Sequence, residues 1–521
     1  MKRTEESECM SRTKNSLLNI MASMGGQLLT NVLRWICRMV FIYTLGKEYL
    51  GISSLYTNIL TILSLSELGL GSAITYSLYK PLAEKDTETI RSLMAFFKKA
   101  YRWIGIAVLI LGLCLMPFLP YLMTGSTDVI NIYLYYALYL TQTVVSYLFF
   151  AYKSILLTAD QKKYISDVVM YVLQIVMNAV QIVILFVWHS FFAYTVAVII
   201  YNIVYNMAVA FVVDRKYPYL KGEAGKLSKD QYKDVFSRVY AMSLYRICNV
   251  VGTSTDNLII SANISVIAVG LYDNYYMIIQ VIQKMLAGIF QAFTSSLGNF
   301  YVLESKERNE FLFRTLNLAN SWLVAFCSVC FAVLLQPFIQ LCFGAEYLLD
   351  DMVVIIIVIN FATNFMQNVV QIYRNASGVF VRGKYRAVIA AVMNLVVSII
   401  LVKRIGLAGV FWGSIISRMA VSWWFDAFML YKHGFHTSPW PFFRNFLATM
   451  SLTTVSIVLI QMITVPWQQV SWIMMMIKGI LCVVIPNVIY LLVYGRSEEF
   501  RYLADKVKSL LVKKYTKRKK S

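Results

Sequence analysis

Charge is scarce in this sequence: 14% of its 521 residues are Asp, Glu, Lys or Arg, against about 25% in a soluble globular domain. The chain is instead 59% hydrophobic. Apolar runs of about twenty residues recur from end to end, the length that crosses a bilayer as a helix, which excludes an ordinary soluble fold. Histidine is scarcer still, with three in the whole chain. His189, His433 and His436 fall at helix ends or in loops, so neither a metal centre nor a histidine-based catalytic group is expected within the membrane. The eight cysteines are scattered through apolar segments. Cys327 and Cys330 form a C-x-x-C without a matching second pair, and read as small buried hydrophobes. Met1 to Asn15 is polar and mixed in charge. The apolar run that follows is too long for a signal-peptide core, so no cleavable leader is expected.

What charge there is leans positive, to a net +21. In a soluble chain that excess would point to nucleic acid. Here it follows the rule that lysine and arginine stay on cytoplasmic loops. With about fourteen spans, the minimum length of each set by bilayer thickness, the inner connections hold Lys80, Lys85, Arg91, Lys98, Lys162, Lys163, Arg215, Lys216, Lys221, Lys226, Lys229, Lys306, Arg308, Arg382, Lys384, Arg386, Lys432 and Arg444. The outer ones hold Lys47, Lys403 and Arg404. The expected fold is an all-α polytopic membrane protein with both termini cytoplasmic. Its expected parts are a six-helix bundle in residues 1–213, a cytoplasmic linker 214–230, a second six-helix bundle 231–432, an additional helix pair 433–494 and a basic cytoplasmic tail 495–521. In the tail, Phe500, Leu503, Val507, Leu510 and Leu511 recur at helical spacing before a lysine-rich end. That pattern fits a helix on an anionic leaflet, or a solvated basic terminus.

The halves repeat. Leu50-Gly51-Ile52 matches Val269-Gly270-Leu271, Pro117-Phe118 matches Pro337-Phe338, Tyr152-Lys153 matches Tyr373-Arg374, and Val176-Met177-Asn178 matches Val392-Met393-Asn394. The offset is about 220 residues. An even number of helices per half keeps the same orientation, so the repeat is parallel, about an axis along the membrane normal. Transporters built this way bind substrate near the midplane between their halves.

Against the general lack of charge, one seam stands out in Tyr232 to Tyr301, two apolar helices joined at Ser261-Ala262-Asn263-Ile264-Ser265. Arg246, Asn249, Thr253 and Asp256 share one helical face. Asp273, Gln280, Lys284, Gly288 and Gln291 share another. The first span carries Asn31, Arg34 and Arg38 on a face of its own, and the twelfth carries Arg418 and Asp426. A charge at mid-bilayer costs roughly 2.5–3.5 kcal/mol on the mildest scale, so such residues normally face a bundle interior or an aqueous cavity. Arg418 has an alternative as the partner of Asp426 or a neighbour. Asp256 reads as a coupling group or as a salt bridge to an arginine, and Glu67, beside Gly69 and Gly71, as a coupling group or a structural hydrogen-bond acceptor. The Asn360, Asn364, Gln367 and Gln371 stripe of the tenth span reads as glue between helices or as sugar contact, the glue favoured.

Thr44-Leu45-Gly46-Lys47-Glu48-Tyr49-Leu50-Gly51-Ile52 and Glu67-Leu68-Gly69-Leu70-Gly71-Ser72-Ala73 in the first half, with Asp256-Asn257-Leu258-Ile259-Ile260 and Ala268-Val269-Gly270-Leu271-Tyr272 in the second, carry a resemblance. By them the chain resembles the bacterial polysaccharide flippases, of O-antigen and capsule type, in the multidrug/oligosaccharidyl-lipid/polysaccharide exporter superfamily. The likeness spans nearly the whole chain. It implies two six-helix bundles around a cavity lined by helices one, two, seven and eight. It also implies alternating access, a cationic cavity and, as in relatives, coupling to a proton or sodium gradient, with no other cofactor. The implied substrate is a polyprenyl-diphosphate oligosaccharide repeat unit moved across the cytoplasmic membrane. Polysaccharide polymerase and glycosyltransferases are the expected partners, and nucleic acid is not.

The residue chemistry fits that substrate. Arginine binds phosphate oxygens through a planar, permanently charged fork, and lysine adds a point charge. The diphosphate candidates are Arg34, Arg38, Arg246, Lys284 and Arg418. The sugar-contact candidates are Asn31, Asn249, Gln280 and Gln291, whose amides match hydroxyl groups. The coupling candidates are Asp256 and Glu67. Two rivals stand beside this. A cation-coupled multidrug exporter would prefer an acidic cavity. A membrane polysaccharide polymerase would need a large outer loop, and every outer connection here is short. The chain is therefore expected not to be an enzyme.

Overall fold

The structure is a computed structural model. It describes the chain except residues 1, 65–69, 124–130, 149, 151, 223–224, 226–254, 304, 377–385, 466–468, 507 and 509–521. Side chains are described at the remaining positions apart from 2–25, 28, 70, 72–73, 76, 291–303, 375–376 and 387.

Helix dominates, and no strand occurs among the described residues. Hydrocarbon imposes that choice, because a helix satisfies its backbone donors and acceptors within one segment. The protein is an all-α polytopic membrane protein. Eight helices among the described residues are long and apolar enough to cross a membrane, or nine if the bent pair Ile132–Leu148 and Lys153–Ala159 is one span. They correspond to the third, fifth, sixth, ninth, tenth, eleventh, thirteenth and fourteenth spans, with the bent pair as the fourth. The eighth span, Val266–Leu303, falls outside that set. Asp273, Asn274, Gln280 and Lys284 interrupt its apolar run.

The chain forms two compact units, Met1–Gly270 and Leu271–Ser521. The first begins with one helical run, Lys2–Leu63, broken at Gly46, whose φ of 84° and ψ of −177° leave the helical region. Only glycine adopts such backbone at little cost. This break separates the first and second spans where Lys47-Glu48 implies a turn. In the core of the unit, the ring of Tyr56 meets those of Tyr136 and Tyr139 edge-on, with centroids 5.4 and 5.7 Å away. Its hydroxyl donates to the carbonyl oxygen of Ile132 at 2.8 Å. A phenol buried this deeply needs such an acceptor. Of the expected linker, Asp214 to Lys216 continue the sixth span and Pro218–Lys221 form a short 3-10 turn. Residues 226–230 lie outside the described part.

The second unit is organised on the ninth span, Lys306–Phe343. Phe313 is sealed by Tyr373, Tyr431 and Phe435. Asn320 donates to the carbonyl oxygen of Phe365 at 3.1 Å and so ties the ninth span to the tenth. The tenth is split into Asp351–Phe365 and Asn368–Ala376. The eleventh and twelfth spans pack closely: a Cβ on Gly413 would stand 2.7 Å from the backbone nitrogen of Ser398, and Asn394 donates to Ser414 Oγ at 2.8 Å. The additional pair, Trp440–Thr464 and Trp472–Tyr494, docks on the ninth span through Val329, Ile460 and Cys482, and Trp322 donates to Asn487 Oδ1 at 2.8 Å. In the central window of Trp472–Tyr494 only 17% of residues are buried, against 72% in that of Asp351–Arg374. The last span therefore presents most of its apolar surface outward.

Candidate functional site

The first span has a buried face and a cationic one. Thr30, Cys37 and Phe41 are buried. Cys37 Sγ lies 3.7 Å from Gln181 Oε1 on the fifth span, and the Phe41 ring meets Tyr194 of the sixth at 5.0 Å. Asn31, Arg34 and Arg38 lie together around the helix from these residues, at spacings of three and four. Arg34 is exposed, while Asn31 and Arg38 are half-buried. Among the described residues Arg34 makes no hydrogen bond or ion pair.

In the second unit, Lys284 is exposed on the eighth span and donates to Gln280 Oε1, one turn earlier, at 3.2 Å. A diphosphate candidate and a sugar-contact candidate are thus brought together. Asp256, at the end of the seventh span, is buried. Arg246, Asn249 and Glu67 lie outside the described residues, as does the side chain of Gln291.

Three contacts in the first unit close one end of it. The segment around Gly51 packs against Val266 to Gly270. A Cβ on Gly51 would collide with the carbonyl oxygen of Val266, and one on Gly270 would lie 2.8 Å from the backbone nitrogen of Gly51. The two glycines that the repeat aligns therefore meet backbone to backbone. Ser261 Oγ also donates to the carbonyl oxygen of Leu122. Gly51→Val or Gly270→Val is expected to disfavour the closed arrangement by about 1–3 kcal/mol, the usual cost of overpacking. In a cysteine-free background, a cysteine at Ser261, which is fully buried here, should then be labelled by an impermeant reagent roughly tenfold more than without the valine, since about 1.4 kcal/mol is a factor of ten. Unchanged labelling in both valine variants would rule out a role for the glycine contact in closing this end.

Arg418 is held differently from the other cations. Its Nη1 donates to the carbonyl oxygen of Asn360 at 3.1 Å, to Asn360 Oδ1 at 2.9 Å and to Thr363 Oγ1 at 2.9 Å. It starts a π-helical stretch, Arg418–Trp423, and through these bonds it joins the twelfth span to the tenth. The amide stripe acts here as glue between helices, at Asn360. Asp426, one expected partner of Arg418, is taken instead by Arg374 and Arg386. Arg374 Nη1 lies 2.6 Å from Asp426 Oδ1, and Arg386 bridges the other oxygen. Arg374 and Asp426 are 5% and 0% exposed, so this ion triad is internal.

The sequence pattern alone places Arg386 among inner-loop charges and gives Arg374 no role beyond the repeat. A signal is present in that Tyr-cation repeat. Lys153, the counterpart of Arg374, bridges Asp214 at 2.6 Å in the first unit. Each unit thus ties a short helix at the end of its fourth or tenth span to an aspartate near the end of its sixth or twelfth. Asp214, expected as the start of a linker, is instead part of this tie.

The profile of a family described as "Polysaccharide biosynthesis protein" matches residues 16–294. The chain belongs to this family. Solved structures extend the likeness. "Lipid II flippase MurJ, inward closed conformation" is similar over 91% of this chain and 99% of its own, at 15% identity and a TM-score of 0.67. An inward-facing multidrug resistance MATE family transporter of the MOP superfamily covers 81% and 96%, at 15% identity and 0.57. The MATE multidrug transporter DinF-BH covers 82% and 96%, at 17% and 0.57. None of the curated proteins matches the chain. At these identities the structural likeness shows the fold, which is that of flippases and transporters. Family and fold together mark the chain as a polysaccharide-biosynthesis member with a transporter architecture.

Proposed function

We propose that the chain is a flippase that moves a polyprenyl-diphosphate oligosaccharide repeat unit across the bacterial cytoplasmic membrane for surface polysaccharide assembly. The observation that carries the proposal is Arg34: an exposed guanidinium on an apolar helix, without an ion-pair partner among the described residues. The cost of a charge there is offset if an anionic substrate supplies the opposite charge. Arg38, Lys284 and Arg246 complete the diphosphate set, and Asn31, Asn249, Gln280 and Gln291 face the sugars. Arg418 contributes whatever donor capacity its bonds to the tenth span leave. The polyprenyl tail stays in hydrocarbon throughout.

The halves rock about this site in alternating access, and Asp256 or Glu67 couples the motion to a proton or sodium gradient. Glycosyltransferases act before the flip and the polymerase after it. The direct test is flipping of lipid-linked oligosaccharide by purified protein in liposomes, with and without each ion gradient. Transport of the oligosaccharide but not of a cationic dye supports the proposal, and dye transport alone would replace it with drug export.

Orientation has its own test. Both termini are cytoplasmic in this scheme. Single cysteines at Ser126 and Lys221 should label from opposite faces of the membrane, and labelling from one face would overturn the span count.

A further inference from the structure

A cavity of about 330 Å³ opens in the second unit, where the ninth, thirteenth and fourteenth spans carry their basic ends. Its size falls at the lower end of small-ligand sites, about 300–1,000 Å³. Arg314, Asn317, Arg444, Asn445, Tyr494 and Glu499 supply its polar wall, and Leu318 and Phe442 an apolar one. The wall therefore carries two guanidinium groups and one carboxylate. Glu499 engages Arg314 at 3.6 Å. Arg444 is exposed and makes no ion pair or hydrogen bond among the described residues. Asn445 and Tyr494 are occupied in holding the wall: Asn445 donates to Ser321 Oγ at 2.9 Å and accepts from the Tyr494 hydroxyl at 3.2 Å.

Asn317 is the informative residue. Its side chain is 4% exposed, it lines the cavity, and its amide oxygen is buried without a hydrogen-bond donor. An unsatisfied buried acceptor costs about 1–3 kcal/mol unless something fills the need. The surroundings are apolar on one side. Leu447, on the turn after Arg444, is 60% exposed, and Leu491, on the turn before Tyr494, is 47% exposed. Trp440, 64% exposed at the start of the thirteenth span, matches the aromatic belts that mark the level of lipid headgroups.

We propose that this cavity binds an anionic phospholipid whose headgroup carries a hydroxyl. Arg444 takes the phosphodiester, with Arg314 beside it. The headgroup hydroxyl donates to Asn317 Oδ1. The acyl chains lie over Leu447 and Leu491. Basic recesses between membrane helices on the inner side are suited to such headgroups. The site is separate from the cations proposed to bind the transported substrate, so its test does not involve transport.

The test uses the full chain purified in mild detergent, with thermal unfolding followed on titration of phosphatidylglycerol, phosphatidylcholine or soluble glycerol phosphate. Phosphatidylglycerol should raise the midpoint, and phosphatidylcholine should not. Arg444→Gln should weaken the apparent affinity for phosphatidylglycerol about tenfold, the loss of about 1.4 kcal/mol. Arg444→Lys, which keeps the charge but not the fork, should weaken it less. An identical phosphatidylglycerol response in wild type and Arg444→Gln overturns the site. An equal response to glycerol phosphate at the same concentration overturns the lipid and leaves a soluble phosphate as ligand.

Discussion

Replacing Asp426 with alanine should prevent the protein from accumulating in the membrane. The carboxylate is fully buried and bridges two arginines, Arg374 and Arg386. Removing it leaves two like charges facing each other in a poorly solvated place. Breaking a buried pair by deleting one partner typically costs about 3–5 kcal/mol. A domain's whole stability is about 5–15 kcal/mol, so much of the margin goes at once. Asp214 provides the comparison. It holds the corresponding place in the first unit, bridging Lys153, but its side chain is 37% exposed. What remains there is one cation, Lys153, 12% exposed, rather than two facing each other, so the loss should be smaller than at Asp426 although above the roughly 0–1 kcal/mol usual for exposed pairs. Membrane abundance and thermal unfolding of Asp426→Ala and Asp214→Ala, side by side, decide the matter. A triple variant, Arg374→Met, Arg386→Met and Asp426→Leu, should recover much of the lost stability, because apolar replacements can match a buried ion network. Equal abundance of the two alanine variants would mean that the triad is solvated or paired elsewhere.

The fold was legible because the solvent leaves few options. Apolar length, turn residues and the lysine and arginine bias are each read locally, and each agreed with the others. The turn at Gly46, the boundaries of the fifth and sixth spans and the ninth span all fall within a few residues of their expected places. The breaks in the fourth and tenth spans were not legible, because an apolar run looks the same whether or not its helix is interrupted. Pairing was the harder problem. Arg418 and Asp426 lie eight residues apart on one apolar stretch, and their opposite charges, rather than helical spacing, made Asp426 one expected partner. The actual partners are separated by 52 residues for Arg374 and by 58 for the Asn360 that holds Arg418. Periodicity places a residue on a face but does not say which other helix that face meets. The glycines show the opposite case. Gly51 and Gly270 were linked by the repeat alone, and the structure brings those two residues into contact. The sequence repeat thus carried tertiary information that periodicity lacked.

Export of surface polymer should fall to background when Arg34, Arg246 and Lys284 are all replaced by alanine, while membrane abundance stays near wild type. The three lie in apolar runs of sequence otherwise suited to hydrocarbon. The two that the structure describes are exposed: Arg34, and Lys284 with Gln280 as its neighbour. Arg34 in this differs from Arg374 and Arg418, whose guanidinium groups are built into helix contacts. A structural cation takes stability with it when it goes. A substrate-binding cation takes activity, because the charge it was to neutralise arrives only with the substrate. Each charge-assisted hydrogen bond to a diphosphate is worth about 1.5–3 kcal/mol. Single alanine variants should therefore lose roughly tenfold to a hundredfold in transport, by the rule of about 1.4 kcal/mol per tenfold. Arg34→Lys should retain more activity than Arg34→Ala and less than wild type, since it keeps the charge and loses the bidentate fork. The measurement is polymer export at matched membrane abundance, in a strain that depends on this chain. Wild-type export by all three single variants would remove the diphosphate patch from the mechanism. Failure of the variants to accumulate would instead make these cations structural partners, in the same sense as Arg374.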